Sequence, residues 1–165
     1  MTPTTRLAAL ARAAGTGALA GLVGAGAMSV GEKVEQRFTT RPDSFVPGRT
    51  LLTLLGGHPG DADRPVVWNH LMHFGTGAAL GALRGVWAAT GIRGGYANAW
   101  HTVIRLGFDQ TAENATGAGA PPHRWPRQEQ LVDVLHKTVF SVVTGALADR
   151  TVPPTLVSTR GLTSH

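Results

Sequence analysis

AAGTGALAGLVGAGAMSVG, residues 13–31, decides the fold. No charged side chain interrupts these 19 residues. Wound as a helix they rise about 28 Å, close to the hydrocarbon thickness of a bilayer. Each glycine in a water-exposed helix costs about 1 kcal/mol relative to Ala, so this density suits close helix packing and not solvent. Gly17 and Gly21 have the small-xxx-small spacing that lets two helix backbones approach. At about 100° per residue, Gly17, Gly21, Gly24, Met28 and Glu35 share a narrow arc, a smooth face with an acid at its end. Arg6 and Arg12 precede the stretch as they would in a signal peptide. The apolar run is longer than such a segment needs, however, and no cleavage site stands out before Glu32. A retained first helix over about 5–37 is expected.

Working outward, the 165 residues suit a single domain, 1–165. Charged residues make up 15%, against about 25% in an average soluble domain. The net charge of +5 comes from scattered basic residues, which form no clustered face, so nucleic acid is not an expected partner. The absence of cysteine excludes disulfides, thiolate metal sites and Cys nucleophiles.

Three further helices are expected, at about 66–90, 96–114 and 127–150. Between the first two lies an apolar, proline-punctuated loop, 38–65, expected to be ordered, with TLLTLL as a short interfacial helix within it. A frayed tail, 151–165, follows the last helix. Trp68, Trp87, Trp100 and Trp125 fall near helix ends, as an aromatic belt at a membrane surface would place them. The expected fold is all-α, an antiparallel four-helix bundle crossing a membrane, multi-pass, with the lipid bilayer as partner. The two longer loops carry seven basic residues against five on the other side, which sets no orientation.

The polar residues cluster at alternating helix ends: Glu32 and Glu35, then His70 and His73, then Asp109 and Glu113, then Glu129, Asp133, His136 and Lys137. In an up-down-up-down arrangement these meet at one pole. The opposite pole is expected to be plain Ala, Gly and Val. His70, His73, Gly77, Gly81 and Arg84 line one face of the second long helix, a face expected to turn inward.

Taken in order, MSVGEKVE, RPDSFVPGRTL, NHLMHFGTGAALGALRG, APPHRWP and DVLHKTVFSVVTG resemble the small bacterial inner-membrane proteins of the YagU-like type. The resemblance covers most of residues 13–148; WHTVIRLGFDQTAEN falls outside its pattern. It implies a four-helix protein of the bacterial cytoplasmic membrane and brings no catalytic residues to carry over.

Three readings of the polar pole follow. In the first, its charges pair to fix helix register, with Glu32, Asp109 and Glu113 neutralising Lys137, Arg105 and Arg84, and no cofactor is needed. In the second, Glu32, Asp109 or Glu113 acts as an acid and His73 or His136 as a base on a lipid-soluble prenyl or fatty substrate, in a cyclase, isomerase or hydrolase type of reaction; a carboxyl in apolar surroundings holds its proton long enough to donate it. In the third, the pole binds Zn, Fe or Mn. Asp133-x-x-His136 has the i, i+3 spacing of bundle metal sites, His70-x-x-His73 puts two imidazoles together, and Glu32 adds a carboxylate. Small-xxx-small spacing recurs at Gly77, Gly81 and Gly85, leaving intramolecular packing and a homodimer through Gly-rich helix faces as alternatives.

Overall fold

The computed structural model describes residues 2–161, and among them all regular structure is helical, with no strand. Five α-helices follow in order: α1 (Pro3–Thr39), α2 (Val46–Leu54), α3 (Val66–Thr90), α4 (Gly94–Ala115) and α5 (Arg127–Thr151), with a short 3-10 turn, Pro122–Arg124, before the last. The α1 helix begins where Thr2 caps it, its hydroxyl accepting from Thr5 N at 3.4 Å, with Pro3 in the first turn, where a missing N–H costs nothing. The α3 helix stops at Gly91, whose φ of 93° is open to glycine and strained for other residues.

The α1 helix packs against α3 and α5, and α4 packs against α5. Pairing along these contacts runs in opposite directions. Gly17 meets Gly85 and Gly21 meets Gly77, while Ser29 reaches His73, so α1 and α3 are antiparallel. Gly24 meets Thr144 and Arg41 meets Glu129, so α1 and α5 are antiparallel too. Asn98 lies against Gly145 and Asp109 against Lys137, and the same holds for α4 and α5. The glycines set the α1–α3 spacing: a Cβ added to Gly17 would lie 2.6 Å from Gly85 Cα, and one on Gly21 would lie 2.8 Å from Gly81 Cα. Backbone faces backbone there, so no side chain can swing aside. The Gly77–Gly81–Gly85 stripe is thus taken up by α1 of the same chain.

Within the loop 38–65, α2 lies against α3. Gly48 N donates to Asn69 Oδ1 at 2.9 Å, and the Asn69 amide donates to Ser44 O at 3.2 Å, so the loop is stitched to the start of α3. Of the tail expected to fray, residues 162–165 lie outside the described residues, and the part next to α5 is held in place. Val152 and Leu156 are buried with Ala13, Ala88, Ala89 and Ala148, and Leu156 N donates to Ala89 O at 2.9 Å. Those two apolar side chains, four residues apart past the end of α5, hold the tail over the end of α3.

Polar and apolar residues are distributed unusually. Arg84, His101, Arg105, Ser141 and Thr144 are buried, as are Ala25, Ala88 and Phe140. Facing outward are Leu19, Val23, Val30, Val34, Val67, Leu71, Val103, Leu131 and Leu135, each at least half exposed. Two of the helices, α1 and α5, are long and apolar enough to cross a membrane.

Candidate functional site

The end of α1, the start of α3, the end of α4 and the start of α5 come together as the antiparallel pairing requires. Three links join them. Arg41, just beyond α1, pairs with Glu35 at 3.2 Å, with Glu32 at 3.5 Å and with Glu129 of α5 at 3.5 Å. Lys137 of α5 pairs with Asp133 one turn away at 2.7 Å and with Asp109 of α4 at 3.4 Å; Arg105 also holds Asp109, at 2.8 Å. His73 of α3 shares a hydrogen bond with Ser29 of α1 at 3.1 Å and lies 3.3 Å from Ala25 O. The guanidinium of Arg105 also rests on the Phe140 ring, 4.9 Å from its centre, where a cation meets the negative face of the π system.

Glu35 and Asp43, past the uncharged stretch of α1, both have lowered titrations. Partial burial pushes the Glu35 carboxyl up, but hydrogen bonds from Thr39 and Arg41, with the Arg41 charge, bring it below the ordinary value of 4.5. Asp43 is lowered mainly by its hydrogen bond from Lys33, with which it forms an exposed ion pair.

The candidate residues separate on this frame. Glu32, Asp109 and Asp133 each have a cationic partner. Glu113 makes no ion pair among the described residues and rests partly buried near Gly119 and Val46. His136 is buried, with no hydrogen-bond partner at Nε2 among the described residues. His70 departs from the inward face expected of it: it is exposed and tilts against the Phe74 ring, 6.4 Å between centres. Three residues before His73, it is turned about 60° round the helix and past the edge of the α1 contact. Among the described residues, no three His, Asp or Glu side chains gather as a metal site needs. A hollow of about 360 Å³ opens outward beside the pole, lined by Ser29, Val30, Lys33, Val34 and Arg37; none of the candidate acids or bases reaches it.

The opposite end corrects the expectation of plain Ala, Gly and Val. Arg84, fully buried, donates to both carboxylate oxygens of Asp149 at 2.9 and 2.8 Å and to Asn98 at 3.2 Å. Gly94 N donates to the same carboxylate at 3.0 Å, and Arg93 pairs with it at 3.6 Å while donating to Asp149 O and Val152 O. Arg84 is therefore neutralised by Asp149, not by Glu32, Asp109 or Glu113, which lie several helical turns away. Asp149 and Arg41 were not among the expected site residues. Arg41 stands six residues past Glu35, a spacing visible in the sequence once the chain is known to turn back there. Asp149 carried no such signal, since its partner lies 65 positions earlier.

No family model, curated protein or solved structure matches the chain.

Proposed function

We propose that the chain is a polytopic protein of the bacterial inner membrane. In this reading α1, α3, α4 and α5 form an antiparallel four-helix transmembrane bundle whose polar pole is a charge-paired network that fixes helix register. One observation carries it: the polarity is inverted. Side chains that a water-soluble helical protein would show to solvent, Arg84, His101 and Arg105, are buried, and side chains that it would bury, Leu19, Val23 and Val30 among them, face outward. An apolar surface of that extent marks a contact with lipid or another protein. Buried charges with their partners beside them are the arrangement that hydrocarbon surroundings demand. The YagU-like resemblance points the same way.

The register role follows from the pairing. Each carboxylate tied to Arg41, Lys137 or Arg105 bridges two helices or braces one beside its neighbour. The protein then acts as a structural membrane component. Alkaline carbonate extraction of expressing cells tests the membrane placement: the chain stays in the pellet. Release into the supernatant in full, as for a peripheral protein, sinks the reading.

Acid–base chemistry on a lipid-soluble substrate is the second reading, and it too has an observation behind it. Of the candidate carboxylates Glu32, Asp109, Asp133 and Glu113, only Glu113 lacks an ion-pair partner among the described residues. Glu113 is therefore the acid that this reading puts first, with His73 or His136 as the base.

A further inference from the structure

The net charge of the chain is concentrated at one end. The end opposite the carboxylate pole holds Arg6, Arg12, Arg84, Arg93, Arg150 and Arg160 against a single acid, Asp149. Everywhere else basic and acidic residues balance, so the whole +5 resides at this end. Arg84 and Arg93 are committed to Asp149, whereas Arg12 has no acidic partner among the described residues and is exposed.

A hollow of about 490 Å³ opens beside Arg12, between the first turns of α1, Ala89 at the end of α3 and the segment after α5. That volume is in the range of small-ligand sites. Its floor is apolar, with Ala8, Ala13 and Val152, and its polar lining consists of Arg12 and threonine hydroxyls such as Thr16 and Thr151. Among the described residues no carboxylate lines it. Val152 caps α5, its N–H donating to Ala148 O at 2.9 Å, and beyond it the tail folds back so that Leu156 N donates to Ala89 O at 2.9 Å.

We propose that this hollow is a binding site for one anionic glycerophospholipid, with Arg12 at its phosphate and the apolar floor against its acyl chain. The occupant is argued from complementarity: a cation and hydroxyl donors without a competing acid, an apolar floor leading from them, and an end of the molecule bearing the entire net charge. The inference rests on the membrane reading above.

The full chain, purified in neutral detergent, is titrated with phosphatidylglycerol or phosphatidylcholine, and bound lipid is counted by native mass spectrometry. One phosphatidylglycerol is retained in preference to phosphatidylcholine. Arg12→Gln weakens that retention about fivefold, the loss of one basic contact to an anionic lipid. Ala8→Trp, which fills the hollow without altering charge, also removes it. Arg150→Gln, an exposed change of equal charge outside the lining, leaves it in place. Equal losses in Arg12→Gln and Arg150→Gln mean a diffuse field and no site, and overturn the proposal; so does displacement of the lipid by inorganic phosphate at matching concentration. Flotation with phosphatidylcholine vesicles separates the two readings. A chain that fails to float takes the membrane placement and the lipid site down together. One that floats but shows no lipid preference loses the site alone.

Discussion

Arg84 and Asp149 meet across α3 and α5 in a two-pronged ion pair of 2.9 and 2.8 Å, and their dependence on each other is unequal. Asp149 has further donors in Gly94 N and Arg93. Arg84, wholly buried, has only Asn98 besides. Asp149→Leu therefore strands a buried guanidinium and costs about 3–5 kcal/mol, the usual penalty for breaking a buried pair from one side. Arg84→Met leaves a carboxylate that still has partners and costs less. The double variant recovers part of the Asp149→Leu loss. Thermal unfolding in detergent ranks the three, and equal losses for the two single variants would contradict the asymmetry.

The glycines of α1 divide into two kinds. A Cβ on Gly21 meets the α3 backbone, so Gly21→Ala forces α1 and α3 apart and costs about 1–3 kcal/mol, as overpacking does. A Cβ on Gly26 meets nothing within 4 Å. Gly26→Ala is neutral or gains up to about 1 kcal/mol, because alanine loses less backbone freedom on folding. Opposite signs at two glycines five positions apart are the expected result. A loss of equal size at both would mean that the outward face of α1 is also in close contact.

The register reading of the carboxylate end makes opposite predictions for Asp109 and Glu113. Asp109 receives Arg105 at 2.8 Å and Lys137 at 3.4 Å, so Asp109→Asn leaves both cations short of a partner and destabilises the chain by about 1–3 kcal/mol. Lys137→Met in the Asp109→Asn background then costs less than it does alone. Glu113→Gln keeps shape, breaks no ion pair and changes stability little. A large loss of stability at Glu113 and none at Asp109 would reverse the assignment of which acid ties the helices together.

How far the sequence led depended on whether a contact was local or distant. The uncharged stretch at 13–31 announced a long helix. The arc of Gly17, Gly21, Gly24 and Met28 named the buried face, because a helical period converts directly into a side. The expected helix at 66–90 coincides with α3, which starts after Pro65, a residue with no N–H to place in a preceding turn, and stops at Gly91, whose positive φ suits glycine. His70 was misplaced because two residues three apart share a face only loosely, and the edge of a contact falls between them. The pairing of Asp149 and the packing of Val152 and Leu156 were not legible at all. Each depends on which distant segment lies opposite, a fact held by the packing of α3 against α5 and not by any local pattern.

Acid should loosen the end of α1 through Glu35. Its carboxyl is held below the ordinary value in the folded chain, against the push of burial, by Thr39 and Arg41. With a folded value below the unfolded one, the unfolded chain binds more protons as pH falls, so the stabilisation is fully present above the unfolded value and is lost as pH drops through the folded one. Asp43, lowered by Lys33, adds in the same direction, but weakly because the pair is exposed. Thermal midpoints measured in detergent from about pH 6 to about pH 3 should therefore fall, across the window in which these carboxylates take up protons. Glu35→Gln starts with a lower midpoint at the upper end and shows a shallower decline, because the variant has no such proton to bind; Arg41→Gln does the same by removing the charge that holds Glu35 down. Parallel curves for the wild type and Glu35→Gln would place the acid sensitivity away from Glu35.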